Sequence, residues 1–178
     1  MIVGTVDRQG PPVKARRYSA GVLLFRRPTG LPSSATQVLL GHMGGPFWAR
    51  REAGAWSIPK GGYEAEEEAV VAARREFTEE VGVPLPDGPM VPLGEVLQAN
   101  NKVVSAWAIE GDLDPADAVS GMFELEWPPG SGRMQFFPEF DRVNWFDIAA
   151  ARPRIVAAQA AFLDRLVQQL ESDQDRAG

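Results

Sequence analysis

Apolar residues fall in short runs broken by glycine, proline and polar residues, and two longer stretches carry a helical period. The run Tyr18–Arg27 (YSAGVLLFRR) predicts a strand ended by Pro28 and Gly30, and Gln37–Gly41 (QVLLG) a second strand beside it. Met43–Gly54 reads as a loop, with Gly44, Gly45 and Pro46 ahead of Phe47 and Trp48. Trp56-Ser57-Ile58 is a short strand stopped by Pro59, and Gly61-Gly62 a turn leading into a helix. That helix is predicted from about Glu66 to Val81, with Ala69, Val70, Ala73 and Phe77 as its buried stripe. Gly82 ends it and Pro84 blocks continuation.

Val91–Gln98 and Val103–Glu110 read as further strands, with Asn100 and Asn101 where a hairpin would turn. Residues 110–133, with Pro128, Pro129 and two glycines, read as a long loop or insertion holding one short strand, Met122–Trp127. A last strand is expected at Val143–Phe146. A final helix is expected from near Pro153, with Ile155, Phe162, Leu163, Leu166, Val167 and Leu170 on one face. The order strands, helix, strands, helix predicts one mixed α/β domain with helices packed on a sheet. Its bounds are 15–172, after a flexible arm at 1–14 and before a frayed tail at 173–178.

Composition narrows the partners. The net charge of −6 argues against duplex nucleic acid, which basic clusters hold. Small phosphorylated substrates stay open, because a bound metal ion inverts the local field. No run approaches the roughly 20 apolar residues of a membrane span, and no secretion signal is evident. The chain has no cysteine, which excludes disulfides and thiolate chemistry and suits a cytoplasmic location.

The segment with chemical content is Gly61 to Val83. Residues three and four apart share a helix face, so Glu76, Glu79 and Glu80 are expected to project from one side of the last turns. Like charges there raise one another's pKa, and the negative end of the helix dipole adds to the conflict. A divalent cation removes it, and carboxylate oxygens are what magnesium prefers. An acidic solvated helix face is the plainer alternative.

The pattern resembles the Nudix box, G-x5-E-x7-R-E-U-x-E-E-x-G-U with U a bulky apolar residue. Gly61, Glu67, Arg75, Glu76, Phe77, Glu79, Glu80, Gly82 and Val83 fill every specified position. With average residue usage, such a match arises by chance on the order of once in ten million chains. Phe77 is larger than the commoner Ile, Leu or Val, and Glu66 stands where a glycine is frequent. The wider likeness runs from about Tyr18 to Leu170.

The resemblance implies an α/β/α sandwich with a mixed central sheet, and hydrolysis of a diphosphate bond in a nucleoside diphosphate-linked compound. It implies magnesium, or manganese, held by Glu76, Glu79 and Glu80 with a backbone carbonyl of Lys60 or Gly61. Arg75 would orient the carboxylates by bidentate pairing with Glu67. For the base that handles the attacking water, a box glutamate such as Glu79 or Glu80, or Glu139 or Asp141 outside the box, is the candidate, with Glu124 and Glu126 next.

The implied partner is a small nucleotide, and a homodimer is allowed because dimers are frequent in the family. The lead-in Trp56-x-x-Pro59-Lys60-Gly61 is similar to members that hydrolyse diadenosine polyphosphates. Dinucleoside polyphosphates and noncanonical nucleoside triphosphates are therefore preferred over capped RNA, nucleotide sugars and ADP-ribose. Phe47, Trp48, Tyr63, Trp107 and Trp127 are candidates to stack a base, against a core role; His42 reads as structural. Two other classes remain: a catalytically silent, nucleotide-sensing Nudix-like module, and an acidic partner-binding domain without specific magnesium binding. The first usually lacks a box carboxylate, and this chain keeps them all.

Overall fold

The computed structural model describes residues 16–28 and 35–177, so the expected arm at 1–14 lies outside the described residues. The elements are β1 (Arg17–Arg26), β2 (Gln37–Met43), β3 (Trp56–Ser57), β4 (Lys60–Gly62), α1 (Ala69–Val81), β5 (Val91–Gln98), β6 (Lys102–Glu110), β7 (Met122–Glu126), β8 (Met134–Pro138), β9 (Phe140–Asp147), α2 (Ile148–Ala151) and α3 (Ala160–Ala177). Seven strands make one mixed sheet in the order β3-β2-β1-β6-β5, with β4 on β1 and β9 on β2. β1 and β6 are parallel; the other pairs are antiparallel.

Alternation along the strands sorts side chains to two cores. On one face Ala20, Val22 and Leu24 of β1, with Leu39 and Ile109, pack against Ala72, Ala73, Phe77 and Val81 of α1. On the other, Leu23, Phe25, Val38, Leu40 and Val104 meet Ala151, Ile155, Phe162, Leu163 and Leu166. The result is the expected α/β/α sandwich. Burying one side chain of Phe77's kind contributes about 1.5–3 kcal/mol, and here it fixes α1 on the sheet.

Several boundaries differ from the sequence reading. α1 starts at Ala69 rather than Glu66, because Glu67 N–H closes a turn onto the Glu64 carbonyl (3.1 Å). Its buried residues are Ala72, Ala73, Phe77 and Val81, so Ala69 and Val70 lie at the margin. Gly61-Gly62 is part of strand β4, registered on Ala20 and Ser19, and not only a turn. The 110–133 insertion holds the first strand of a β7–β8 hairpin, and the second, Met134–Pro138, was not anticipated. Its partner Trp127 N–H reaches across the turn to the Arg133 carbonyl (2.8 Å).

The last helix also starts later than Pro153. The chain there serves β3 instead: Trp56 N–H donates to the Arg154 carbonyl (3.0 Å) and Val156 N–H to the Trp56 carbonyl (2.8 Å). Buried Gln159 then accepts from Ile58 N–H (3.0 Å) and donates to the Ser57 hydroxyl (3.0 Å). These bonds clamp the strand that leads into the Gly61–Val83 segment. α3 continues through Ala177, past the end expected at Ser172 and through most of the tail expected to fray.

Candidate active site

The site forms where the C-terminal half of α1 meets β4. Gly61 is required there: a Cβ on it would overlap the Glu76 carboxylate, so the glycine lets that carboxylate lie on the strand. Lys60 N–H donates to Glu80 Oε2 (2.7 Å). Burial pushes the Glu80 carboxyl up to about 7; the Lys60 charge and N–H oppose this, while Glu139 and Glu76 reinforce it.

Glu79 lies further out. At about 100° per residue, Glu80 falls some 40° to one side of Glu76 and Glu79 some 60° to the other. The three therefore keep to one flank of the helix at different depths: Glu80 lies against the sheet, while Glu79, 58% exposed, lies toward solvent and shares Arg75 Nη1 with Glu76. Among the described residues no three His, Cys, Asp or Glu side chains form a ready cage for a metal.

Arg75 ties this edge together. Its Nε and Nη2 donate to the two Glu67 oxygens (3.0 and 2.9 Å), the bidentate pairing expected. Its Nη1 donates to Glu76 Oε1 (2.7 Å) and Glu79 Oε2 (3.0 Å), and its Nη2 to the Gly62 carbonyl (3.3 Å). The Glu67 bond holds the guanidinium's pKa up, and Arg75 holds the Glu67 carboxyl down.

Of the acids outside the box, Glu139 interacts with Glu80 and Glu76, and Asp141 lines a cavity of about 400 Å³ together with Glu80. The Glu139 backbone is pinned on both sides at the β8–β9 junction: its N–H donates to the Gly121 carbonyl (2.8 Å) and its carbonyl accepts from Gly44 N–H (2.9 Å). Burial raises its carboxyl, which feels Lys60, Glu76 and Lys102. Two of the other candidates hold partners of their own. Asp141 accepts from Arg142 Nη1 (3.2 Å) and pairs with His42 Nδ1 (2.8 Å), and Glu126 accepts from Gly132 N–H (2.6 Å) in the hairpin turn. His42 is fully buried, with Nε2 on the Arg51 carbonyl (2.6 Å), a structural position.

Lys102 was not anticipated. The parallel pairing of β1 and β6 sets it beside Arg17, and Lys60 sits on β4 beside Gly21, so all three basic residues share one face of adjoining strands. Burial draws the Lys102 ammonium down to about 8, with Lys60 pushing the same way and Glu80 opposing. A lone lysine at a strand start carries no sequence signal; only the strand pairing shows where it stands. Among the candidate aromatics, Trp107 packs on the α1-side core, Trp48 on the opposite core, and Trp127 meets Phe47 edge-on at 5.1 Å.

The NUDIX domain family model matches residues 15–166. The chain belongs to the NUDIX family. Enzymes of this family act on pyrophosphate bonds and generally use a divalent metal, and with its box complete this chain is a Nudix hydrolase.

Solved structures agree on the fold. An Ap4A hydrolase of C. elegans, in a binary complex, superposes with a TM-score of 0.60 at 18% identity over 86% of this chain and 98% of that one. A mutT/nudix family protein of Listeria innocua gives 0.57 at 16% over 88% and 95%. The NUDIX domain of Shewanella oneidensis NrtR, complexed with ADP ribose, gives 0.57 at 16% over 91% and 94%. At these identities the likeness speaks to the fold alone. No curated protein sequence matches the chain. No helix among the described residues is long and apolar enough to cross a membrane.

Proposed function

We propose that this Nudix hydrolase is magnesium-dependent and cleaves the diphosphate bond of a nucleoside diphosphate-linked compound, a dinucleoside polyphosphate or a noncanonical nucleoside triphosphate. The observation that carries the reading is the pair Glu76 and Glu80 against Gly61 and Lys60, with Glu139 facing them. The donor set is all oxygen. Glu76, Glu80 and a carbonyl of Lys60 or Gly61 would hold the ion, which suits magnesium's habit of taking one or two carboxylates plus water and substrate phosphate. When bound, the ion neutralises phosphoryl charge and acidifies water.

The protein's own groups do the rest. Arg75 keeps Glu76 oriented while Glu67 and Glu79 hold the guanidinium in place. Lys60 and Lys102 supply positive charge to a polyphosphate chain. Glu139 is the proposed base: burial raises its carboxyl, which strengthens its hold on a proton, and it stands among Lys60, Glu76 and Lys102. Dinucleoside polyphosphates are preferred because of the Trp56-x-x-Pro59-Lys60-Gly61 lead-in.

The test is product release from a panel of nucleoside diphosphate derivatives, with magnesium and with excess chelator. Cleavage that chelator stops supports the reading, and the best substrate names the compound. No cleavage with magnesium still bound moves the protein to the nucleotide-sensing class. For the base, Glu139→Gln is expected to lower kcat by about 10²-fold or more. An unchanged rate at saturating substrate moves the role to another residue.

A further inference from the structure

Beside β4, a cavity of about 750 Å³ is lined by Arg16, Arg17, Tyr18, Gly62, Tyr63, Glu64 and Ala65. We propose that this cleft takes the nucleoside end of the substrate, a base stacked on Tyr18 and Tyr63 with its adjoining phosphate toward Arg16 and Arg17. The inference rests on the hydrolase reading for its substrate, but the cleft can be tested apart from turnover.

Four features carry it. The volume lies within the range of about 300–1,000 Å³ usual for small-ligand sites. The two rings stand 6.5 Å apart, tilted by 58°. Tyr18 is 46% exposed, while Tyr63 is partly buried against the α1-side core and so fixed in place. A flat base can lie on the open Tyr18 face and meet Tyr63 at an angle, arrangements that aromatic pairs favour.

Charge and position agree. Among the described residues, neither Arg16 nor Arg17 has a salt-bridge partner within 4.0 Å. Two such guanidiniums at the mouth of an aromatic cleft suit a phosphate monoester. Glu64 is the acid in the lining; its carboxylate can accept from ribose hydroxyls or an exocyclic amine. Gly62 belongs both to this lining and to the Arg75 network, and Gly61 before it carries the Glu76 carboxylate. At about 3.3 Å per strand residue, Gly61 and Tyr63 are roughly 7 Å apart along the chain. That is the reach from a reacting phosphate to the sugar and base attached to it.

The experiment is equilibrium titration with AMP and, separately, with inorganic pyrophosphate, on wild type, Tyr18→Leu, Tyr63→Leu and Tyr63→Phe. Leucine keeps apolar bulk and removes the ring, while phenylalanine keeps the ring. Stacking is worth enough that each leucine variant is expected to weaken AMP by about tenfold or more. Tyr63→Phe stays near wild type, and pyrophosphate binding is unchanged in all three. AMP affinity unaltered in both leucine variants overturns the cleft, as does wild type that binds no AMP. Equal loss of AMP and pyrophosphate in Tyr18→Leu, the more exposed position, overturns it too. If no panel substrate is cleaved but AMP binding still depends on the tyrosines, the hydrolase reading falls and the cleft stands.

Discussion

Glu80 is held in a position that costs stability. Its carboxyl sits at about 7 in the folded protein against an ordinary value of 4.5. Between these values the native state keeps a proton that the unfolded chain has lost, so stability without metal falls as pH rises across that window. Glu80→Gln removes the charge, keeps the shape and leaves an oxygen for Lys60 N–H. In chelator at pH 8 the variant is expected to be more stable than wild type by about 1–3 kcal/mol, after discounting for partial solvation. In magnesium its turnover should fall by about a hundredfold. Urea melts at pH 5 and pH 8 check the first half: a gain of equal size at both would show that burial of the charge is not the cause. Retention of more than about a tenth of the rate would remove Glu80 from the ligand set. Glu80 and Glu76 were readable from the box spacing, and so was the bidentate Glu67–Arg75 pair. The outward position of Glu79 was not, because an ideal face ignores where the sheet lies.

At the level of elements, legibility followed how local the determining forces are. α1 was visible because its stripe and its terminator are both local: Phe77 is fully buried, and Gly82 ends the helix at φ 77° with its N–H on the Thr78 carbonyl (2.9 Å). The Ile155 segment was missed because its backbone bridges to Trp56, distant in sequence, whereas β8 pairs with its near neighbour β7 and lay beyond the insertion as read. β4 escaped notice since two of its three residues are glycines, which carry no strand signal. Lys102 and Arg17 meet only through the β1–β6 pairing. Gly82 offers a test at this scale. A side chain there meets left-handed strain and also the Val119 backbone, which packs against the helix end. Gly82→Ala is therefore expected to destabilise the protein by more than the usual cap loss, about 2 kcal/mol or more. It should also loosen the α1 end that bears Glu79 and Glu80, raising the magnesium needed for half-maximal rate. A variant with wild-type melting would show that the contact with Val119 yields freely.

Across the whole molecule, the sheet separates two cores, and the carboxylates sit at the edge of the one that α1 closes. The chain carries a net −6, and much of its acid lies between Glu64 and Glu80. Arg75 is shared by three glutamates, so one guanidinium offsets several charges along that edge. A divalent cation bound to Glu76 and Glu80 would relieve the remaining repulsion and link α1 to β4. Binding to the native state alone stabilises it by about 2.7 kcal/mol at one hundred times Kd. For a chain of this size each kcal/mol moves Tm by about 2–4 °C, so saturating magnesium should raise Tm by about 5–10 °C over chelated protein. The same rise should be absent in Glu80→Gln and preserved in Glu124→Gln, whose residue lies on the β7–β8 hairpin. Calcium or added salt at matched ionic strength separates a specific site from general screening, which acts on every acidic variant alike. A Tm that rises equally in wild type and Glu80→Gln would place the stabilising ions on the acidic surface at large, and the shared α1–β4 edge would then hold no metal of its own.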